Sequence, residues 1–554
     1  MRPMRRAVLA RAGFLLIAAA GLVSRTHAQG LASSDLSRLR SVGDVALSPD
    51  GQRIAYTITM RDRPGRPYRQ LWVTEVASPK PVRLGGEKDS GGGPLWSPDG
   101  KWLAFSGHQG EKSGLFLARP DGSEITFLTP TDGTNSPLPG TGNEVAWSPD
   151  SKRLAFISAT PGEGVADSNS NADPIVITRY LYKPDAGEGL TRFNDNKRLH
   201  IFVVDAASKQ VKQLTNGNYD EHSIDWSPDG SKLVFASNRD PNQDEFFHYD
   251  LFTLALSDNS IHRLTAGEYT EYDPLWSPDG KLITYRGTKR GLTDRETTME
   301  DTHVWVMNAD GSNRREIGAA VDNRQSAPQW APDGSAVYFR VQERGSFPLV
   351  RLPIKGGPAE YVLKDPGFVK GWSLGKNGAM AYSYSSPKDT AQLFYRSTPS
   401  APARKLTDLN AGLFAGKQLG EVESFTFISN DNRFEVEAFL TKPLGMTPTS
   451  RHPLIVNIHG GPHGQNGPAF NFKNQVYAAH GYAVLNVNYR GSTGCGQKFT
   501  DAVFGDQDGN EAQDVLYGVN AAVHRYLWID RERMGIEGVS YGGQLTDWLI
   551  TQTK

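Results

Sequence analysis

Over residues 29–407 apolar and polar residues alternate in short runs, the period of half-buried β-strands. Lys101-Trp102-Leu103-Ala104-Phe105 and Lys232-Leu233-Val234-Phe235 are two such runs, and each follows a copy of one short unit. Leu47-Ser48-Pro49-Asp50-Gly51 returns as Trp96-Ser97-Pro98-Asp99-Gly100, then at Trp147, Trp226, Trp276 and Trp330, and weakly at Trp372, making seven copies. Successive copies are 49, 51, 79, 50, 54 and 42 residues apart, close to the ~40–50 residues of a propeller blade. Within each unit Ser, Pro and Gly occupy positions i, i+1 and i+3 of a type I turn, where each is favoured. A second strand pair follows, as in Gln70-Leu71-Trp72-Val73, His200-Ile201-Phe202-Val203-Val204 and His303-Val304-Trp305-Val306. Two hairpins per repeat predict a four-stranded blade, and the region as a whole a seven-bladed β-propeller.

The long interval holds an insert over about 159–197, whose first half, 161–173, is rich in Gly, Ser, Asn and Asp. It either edges a binding cleft or is a passive surface loop. The turn Asp residues do not suggest calcium, because turn formation accounts for each and no Asp-x-Asp-x-Asp ladder is present.

Near Gly420 the period changes. Two strands, over 423–429 and 434–441, precede the continuous apolar run Pro453-Leu454-Ile455-Val456-Asn457-Ile458. A helix-length gap separates this from Tyr482-Ala483-Val484-Leu485-Asn486-Val487. An amphipathic stretch over 510–527 and a strand over 533–537 follow. Strands alternating with helices predict an α/β sheet with parallel strands. The expected organisation is a propeller over 29–407, a linker over 408–421 and a partial α/β-hydrolase domain over 422–554.

Composition adds constraints. Arg2, Arg5, Arg6 and Arg11 precede an apolar run, Gly13 to Val23, and Thr26-His27-Ala28 fits a signal-peptidase site. Residues 1–28 are therefore expected to be a signal peptide, with an uncleaved anchor as the alternative, and the protein to be secreted or periplasmic. The full chain carries a formal net charge of −1. Beyond residue 28 there are 55 basic against 61 acidic residues, so nucleic acid and anionic membrane are poor partners. Cys495 is the single cysteine; no internal disulfide can form, and a spectator thiol is expected. No motif calls for a metal or a cofactor.

Candidate chemistry gathers late in the chain. Gly538-Val539-Ser540-Tyr541-Gly542 ends a strand and opens onto a helix-forming segment, the context of a nucleophile elbow. A nucleophilic Ser must sit on a strained turn with its Oγ exposed, and Gly on either side leaves room for the helix to pass the strand. His459-Gly460-Gly461-Pro462 ends an earlier strand, where a Gly-rich turn can aim a backbone N–H at a developing oxyanion. Gly461 and Tyr541 are the expected oxyanion donors and Ser540 the nucleophile. His459 itself is expected to anchor the loop rather than act as a base.

In combination, the WSPDG repeats, HGGP, Asn488-Tyr489-Arg490-Gly491-Ser492-Thr493-Gly494 and the elbow resemble the prolyl oligopeptidase family of serine peptidases. The HGGP form looks most like the acylaminoacyl-peptidase branch. Relatives like dipeptidyl peptidase IV use a tandem Glu-Glu pair to hold a substrate amino terminus, and no Glu-Glu dipeptide occurs here. The resemblance implies cleavage of short peptides by acyl transfer under a propeller that limits access. Cys495 stands where such proteins commonly carry an aromatic residue.

One departure concerns the triad, which in α/β-hydrolases runs Ser, Asp or Glu, then His along the chain. Fourteen residues follow Ser540; they include one acid, Asp547, on the helix that buttresses the elbow, and no His. His452, His463, His480 and His524 lie upstream, outside the position the fold assigns to the base. The chain as written is expected to be truncated after the elbow and nearly inactive, with its last strand an open edge. The rival readings are a non-catalytic periplasmic propeller that binds partners through its blades, and a carboxylesterase.

Overall fold

The computed structural model describes residues 29–134, 142–161, 195–241, 243, 248–267, 269–288, 300–376 and 378–553. The expected signal peptide and most of the 159–197 insert lie outside the described residues. Seven four-stranded antiparallel sheets form the propeller, each built from four strands consecutive in the chain. Their first strands are Ser41–Leu47, Ser90–Trp96, Val145–Trp147, Asp220–Trp226, Glu271–Trp276, Gln329–Trp330 and Phe368–Leu374. These inner strands make most of the blade-to-blade contacts and so surround the axis.

The repeated motif does two jobs. In the second blade Gly100 N–H donates to Ser97 O at 2.8 Å, closing the type I turn. Asp99 Oδ1 accepts from Ser97 Oγ (2.7 Å) and Lys101 N–H (3.1 Å), while Ser97 Oγ accepts from Trp102 N–H (3.0 Å). The turn Asp is thus consumed locally. The Trp reaches backwards: Trp96 Nε1 donates to Ala46 O, Trp147 Nε1 to Leu95 O, Trp226 Nε1 to Ala146 O and Trp330 Nε1 to Leu275 O, all at 3.0–3.1 Å. Each of these indoles ties its blade to the one before.

Position 47 is Leu, and there the ring closes by other means. Ser373 Oγ accepts from Leu47 N–H (3.0 Å) and Ser383 Oγ donates to Gly43 O (2.9 Å). Val42, Leu47, Ile54 and Tyr56 pack against Ala379, Ala381 and Leu393 of the seventh blade. No strand is shared across this seam.

Residues before Ser41 lie against the linker and the hydrolase part. Gly30 abuts Ala479, Lys417 Nζ pairs with Asp35 at 2.6 Å, and Arg40 and Asn410 exchange two hydrogen bonds at 2.9 Å. Both chain crossings between domains therefore sit side by side. The expected linker contains a short helix, Ala411–Phe414.

In the hydrolase part the strands are β1 (Val422–Ile428), β2 (Glu435–Thr441), β3 (His452–Ile458), β4 (Ala483–Asn488) and β5 (Ile529–Gly538). Sheet order is β1-β2-β4-β3-β5, antiparallel through β4 and parallel from β4 to β5. The main helices are α1 (Phe472–Ala479), α2 (Asn510–Arg525) and α3 (Tyr541–Gln552). β4 is buried along its whole length, and its two asparagines are paired inside, Asn486 with Asn474 and Asn457 O and Asn488 with the backbone of Asn466. β5 begins four residues earlier than its sequence pattern suggests, because the stretch from Ile529 is polar and still pairs with His452. Among the described residues β5 is the edge of the sheet.

One buried ion group anchors this domain. Arg490, 1 % exposed, donates to Asp514 through Nε (2.8 Å) and to Asp431 through NH1 (2.8 Å). Asp431 is held well below the usual carboxylate range by its hydrogen bond from Arg490. Replacing Arg490 by Ala strands the fully buried Asp514, a loss expected to cost about 3–5 kcal/mol. Urea denaturation followed by tryptophan fluorescence checks this; a loss under about 1 kcal/mol, the scale of an exposed pair, contradicts it.

Candidate active site

The loops after β3, β4 and β5 gather at the carboxyl ends of the strands, where open α/β sheets place their ligands. Ser540 stands at the β5–α3 junction, exposed, with φ 58° and ψ −126°. That left-handed backbone is costly for a non-glycine residue and is held by its surroundings. Gly543 N–H and Gln544 N–H both donate to Ser540 O, at 2.8 and 3.1 Å. A Cβ on Gly538 would fall 2.0 Å from Gly542 O, and one on Gly542 would fall 2.3 Å from Ile458 O. The glycines of the elbow are therefore steric requirements. Ser540 Oγ makes no hydrogen bond among the described residues.

As the first residue of α3, Tyr541 has an N–H with no acceptor inside the helix. The side chain is fixed by Glu511, a fully buried residue of α2 whose Oε1 accepts from the Tyr541 hydroxyl at 2.7 Å. Glu511 also caps the start of its own helix, accepting from Gly509 N–H at 3.1 Å. Burial pushes the Glu511 carboxyl above its ordinary value, with the Tyr541 hydrogen bond acting against the rise.

On the facing loop Gly461 has φ 137°, a region that favours glycine. Its neighbour approaches the nucleophile more closely: a Cβ on Gly460 would lie 2.7 Å from Val539 O and 3.1 Å from Ser540 Cβ. The sequence motif points to the Gly461 N–H and gives no local sign of this contact. The His459 ring is sequestered, stacked on Tyr489 at 4.5 Å, with Nε2 3.0 Å from Ser492 Oγ and Nδ1 2.9 Å from Gly460 O. Burial pushes its pKa down to about 4. The expected anchoring role of His459 agrees with this geometry. Tyr489 in turn stacks on Tyr541 at 6.3 Å, so the His459–Pro462 loop and the elbow share one column of rings.

The other histidines near this domain are engaged elsewhere. His452 lies between Ser450 and Gly481, His463 Nδ1 against Gly491 O, His480 Nδ1 against Val476 O, and His524 Nδ1 against Asn520 O. Asp547 is exposed on α3. Among the described residues no histidine is hydrogen-bonded to Ser540. Cys495 is a free, half-buried thiol whose pKa burial pushes up to about 11, as expected of a spectator.

The propeller meets these loops directly. Arg344 N–H donates to Gly494 O (3.0 Å), Gly345 N–H to Gln465 Oε1 (3.1 Å), Gly496 N–H to Asn323 Oδ1 (2.8 Å), and Asp301 N–H to Gln497 Oε1 (2.7 Å).

A propeller set on an α/β sheet that presents a strained, exposed serine defines a propeller-capped serine hydrolase. The model of the prolyl oligopeptidase family matches residues 468–554. An uncharacterized peptidase, YuxL, of Bacillus subtilis is 32 % identical over 552 residues, covering 95 % of this chain and 80 % of that protein. Dipeptidyl-peptidase 5 of Porphyromonas gingivalis is 23 % identical over 548 residues, covering 92 % of this chain and 75 % of that one. In fold, the acylaminoacyl peptidase of Pyrococcus horikoshii superposes with a TM-score of 0.76 at 21 % identity, over 94 % of this chain and 76 % of the other. A puromycin-hydrolyzing peptidase of Mycobacterium tuberculosis gives 0.68 at 16 %, over 95 % and 78 %. The chain belongs to the prolyl oligopeptidase family of serine peptidases.

Gly460→Ala and Gly542→Ala each force a methyl group into backbone, and each is expected to cost about 1–3 kcal/mol. Gly535→Ala serves as the control, since Gly535, like Gly460 and Gly542, has no left-handed φ but has nothing within 4 Å of its Cβ position. Chemical denaturation of the three variants reads the difference; equal losses in all three contradict the steric account.

Proposed function

We propose that Ser540 is the acyl-accepting nucleophile of a peptidase acting on short peptides, with the Gly461 and Tyr541 N–H groups as its oxyanion hole. The observation that carries this is the backbone of Ser540, left-handed and exposed at the start of α3. Attack of Oγ on a scissile carbonyl forms a tetrahedral oxyanion, and backbone donors fixed in advance stabilise it without reorganising. The Gly460 contact holds the facing loop against Ser540, and Glu511 holds Tyr541. The propeller over the loops restricts entry to oligopeptides.

The HGGP loop and the likeness to acylaminoacyl peptidases support a preference for blocked amino termini. The peptidase 5 relatives favour the alternative, release of dipeptides from a free amino terminus. The basic, apolar start of the chain supports export to the periplasm or beyond.

The histidine positions support a further part of the reading. With no imidazole hydrogen-bonded to Ser540 among the described residues, the 554-residue polypeptide turns over substrate very slowly. Loss of triad function costs many orders of magnitude, leaving the residual rate of the oxyanion hole and binding.

A fluorophosphonate probe and paired substrates test both parts. The substrates are an acetylated alanine p-nitroanilide, an unblocked dialanine p-nitroanilide and a p-nitrophenyl ester. Slow labelling, abolished by Ser540→Ala, and barely measurable turnover are expected. Labelling that survives Ser540→Ala overturns the nucleophile, and rapid anilide turnover overturns the low-activity reading. Ester hydrolysis without any anilide hydrolysis points to a carboxylesterase instead.

A further inference from the structure

Around the propeller axis four consecutive blades, the fifth, sixth, seventh and first, each direct cations onto the inner strands. In the fifth, Arg286 Nε donates to Asp273 Oδ2 at 2.9 Å. In the sixth, Arg340 NH1 donates across the blade boundary to Lys370 O (2.7 Å) and Val369 O (3.0 Å), and its buried Nε has no partner among the described residues. In the seventh, Lys370 is exposed on the inner strand itself. In the first, Arg69 NH1 reaches Asp44 Oδ2 at 3.2 Å, and Arg61 NH1 donates to Leu39 O at 3.3 Å.

These groups feel one another. The protein wall around Lys370, open to solvent as it is, pushes the amine below its ordinary value; the Arg69, Arg61 and Arg340 guanidinium groups add to the push, and Asp44 acts against it. Arg340 is brought down to about 10 by burial and by Arg286. His222, beside Arg286, is buried and stays neutral, its pKa pushed down to about 3. Five cations thus face two carboxylates, Asp44 and Asp273, which Arg69 and Arg286 already occupy. Arg61, Arg340 and Lys370 form no ion pair with a carboxylate among the described residues.

The arc lies towards the hydrolase end of the channel. Arg340 ends its strand two residues before Gln342, whose side chain is hydrogen-bonded to Thr493 of the β4–α2 connection. Phe368, two residues before Lys370, pairs with Ser385, and the next residue, Ser386, accepts from Phe470 N–H at 2.8 Å.

We propose that this arc is an anion site that takes a carboxylate of a short peptide, either its free C-terminus or an acidic side chain. The identification of the ligand as a peptide rests on the function proposed above; the preference for carboxylate does not. Cations that outnumber the carboxylates beside them repel one another, and a further carboxylate relieves that repulsion with charge-assisted hydrogen bonds.

Isothermal titration of the 554-residue protein at low salt tests the site with three acetylated peptides. These are tetra-alanine free acid, tetra-alanine amide, and the same amide with one Glu. The free acid, the Glu peptide or both are expected to bind at least about tenfold more tightly than the plain amide, with the advantage shrinking as salt is added. Whichever peptide gains identifies the source of the carboxylate. The double variant Arg69→Gln/Lys370→Gln, checked for an unchanged circular dichroism spectrum, is expected to lose the gain. If that variant misfolds, Lys370→Glu replaces it and is expected to do the same. Equal affinity for acid and amide, absence of binding by all three, or a gain that survives substitution overturns the site. None of these readouts depends on Ser540, so failure of the fluorophosphonate experiment and failure of this one are separable.

Discussion

Three stretches of backbone converge around Ser540 at separations that leave no room for a side chain. The elbow strand passes its own helix at Gly538 and Gly542, the helix passes the end of β3 at Ile458, and the Gly460 loop touches Val539. Everything chemical in the domain follows from that crowding. It forces the left-handed turn at Ser540, brings the Tyr541 and Gly461 loops to one side, and couples them through the stacked rings of His459, Tyr489 and Tyr541. Residues that look catalytic by type, His459 and Glu511 above all, are spent on holding this arrangement.

The propeller is coupled to the same loops. The segment from Gln342 to Ser346 bonds to Gln465, Thr493 and Gly494, so the β3 and β4 loops are braced from outside the hydrolase sheet. The cationic arc begins beside this brace. A substrate that bridges Ser540 and the proposed anion site would contact both domains.

Much of this architecture could be read in the chain. The seven motif copies mark seven blades because Ser-Pro-Asp-Gly has one dominant local conformation, and the alternating runs after it can only be half-buried strands. The order of the hydrolase elements was equally open to reading, since periodicity and turn residues act locally. Strand ends were less so: β5 extends back to Ile529 through polar residues, held by pairing with His452 rather than by its own pattern. Long-range partners were hidden altogether. Nothing near Arg490 announces Asp431 and Asp514, and the motif Trp gives no local sign that its indole bonds to the preceding blade. The channel cations were invisible for the same reason, being scattered from Arg61 to Lys370 with no common spacing.

The seam between the first and seventh blades has a temporal meaning. Leu47 and Gly43 bond to Ser373 and Ser383, groups more than 300 positions later in the chain. A ribosome or a translocation channel delivers the chain from one end, so the apolar face of the first blade emerges long before its cover. The intervening blades can stack in order as they appear, the indoles of Trp96, Trp147, Trp226 and Trp330 each fastening to a neighbour already made. The first blade alone must wait until the seventh arrives, leaving Val42, Ile54 and Tyr56 exposed until then to chaperones and to other nascent chains.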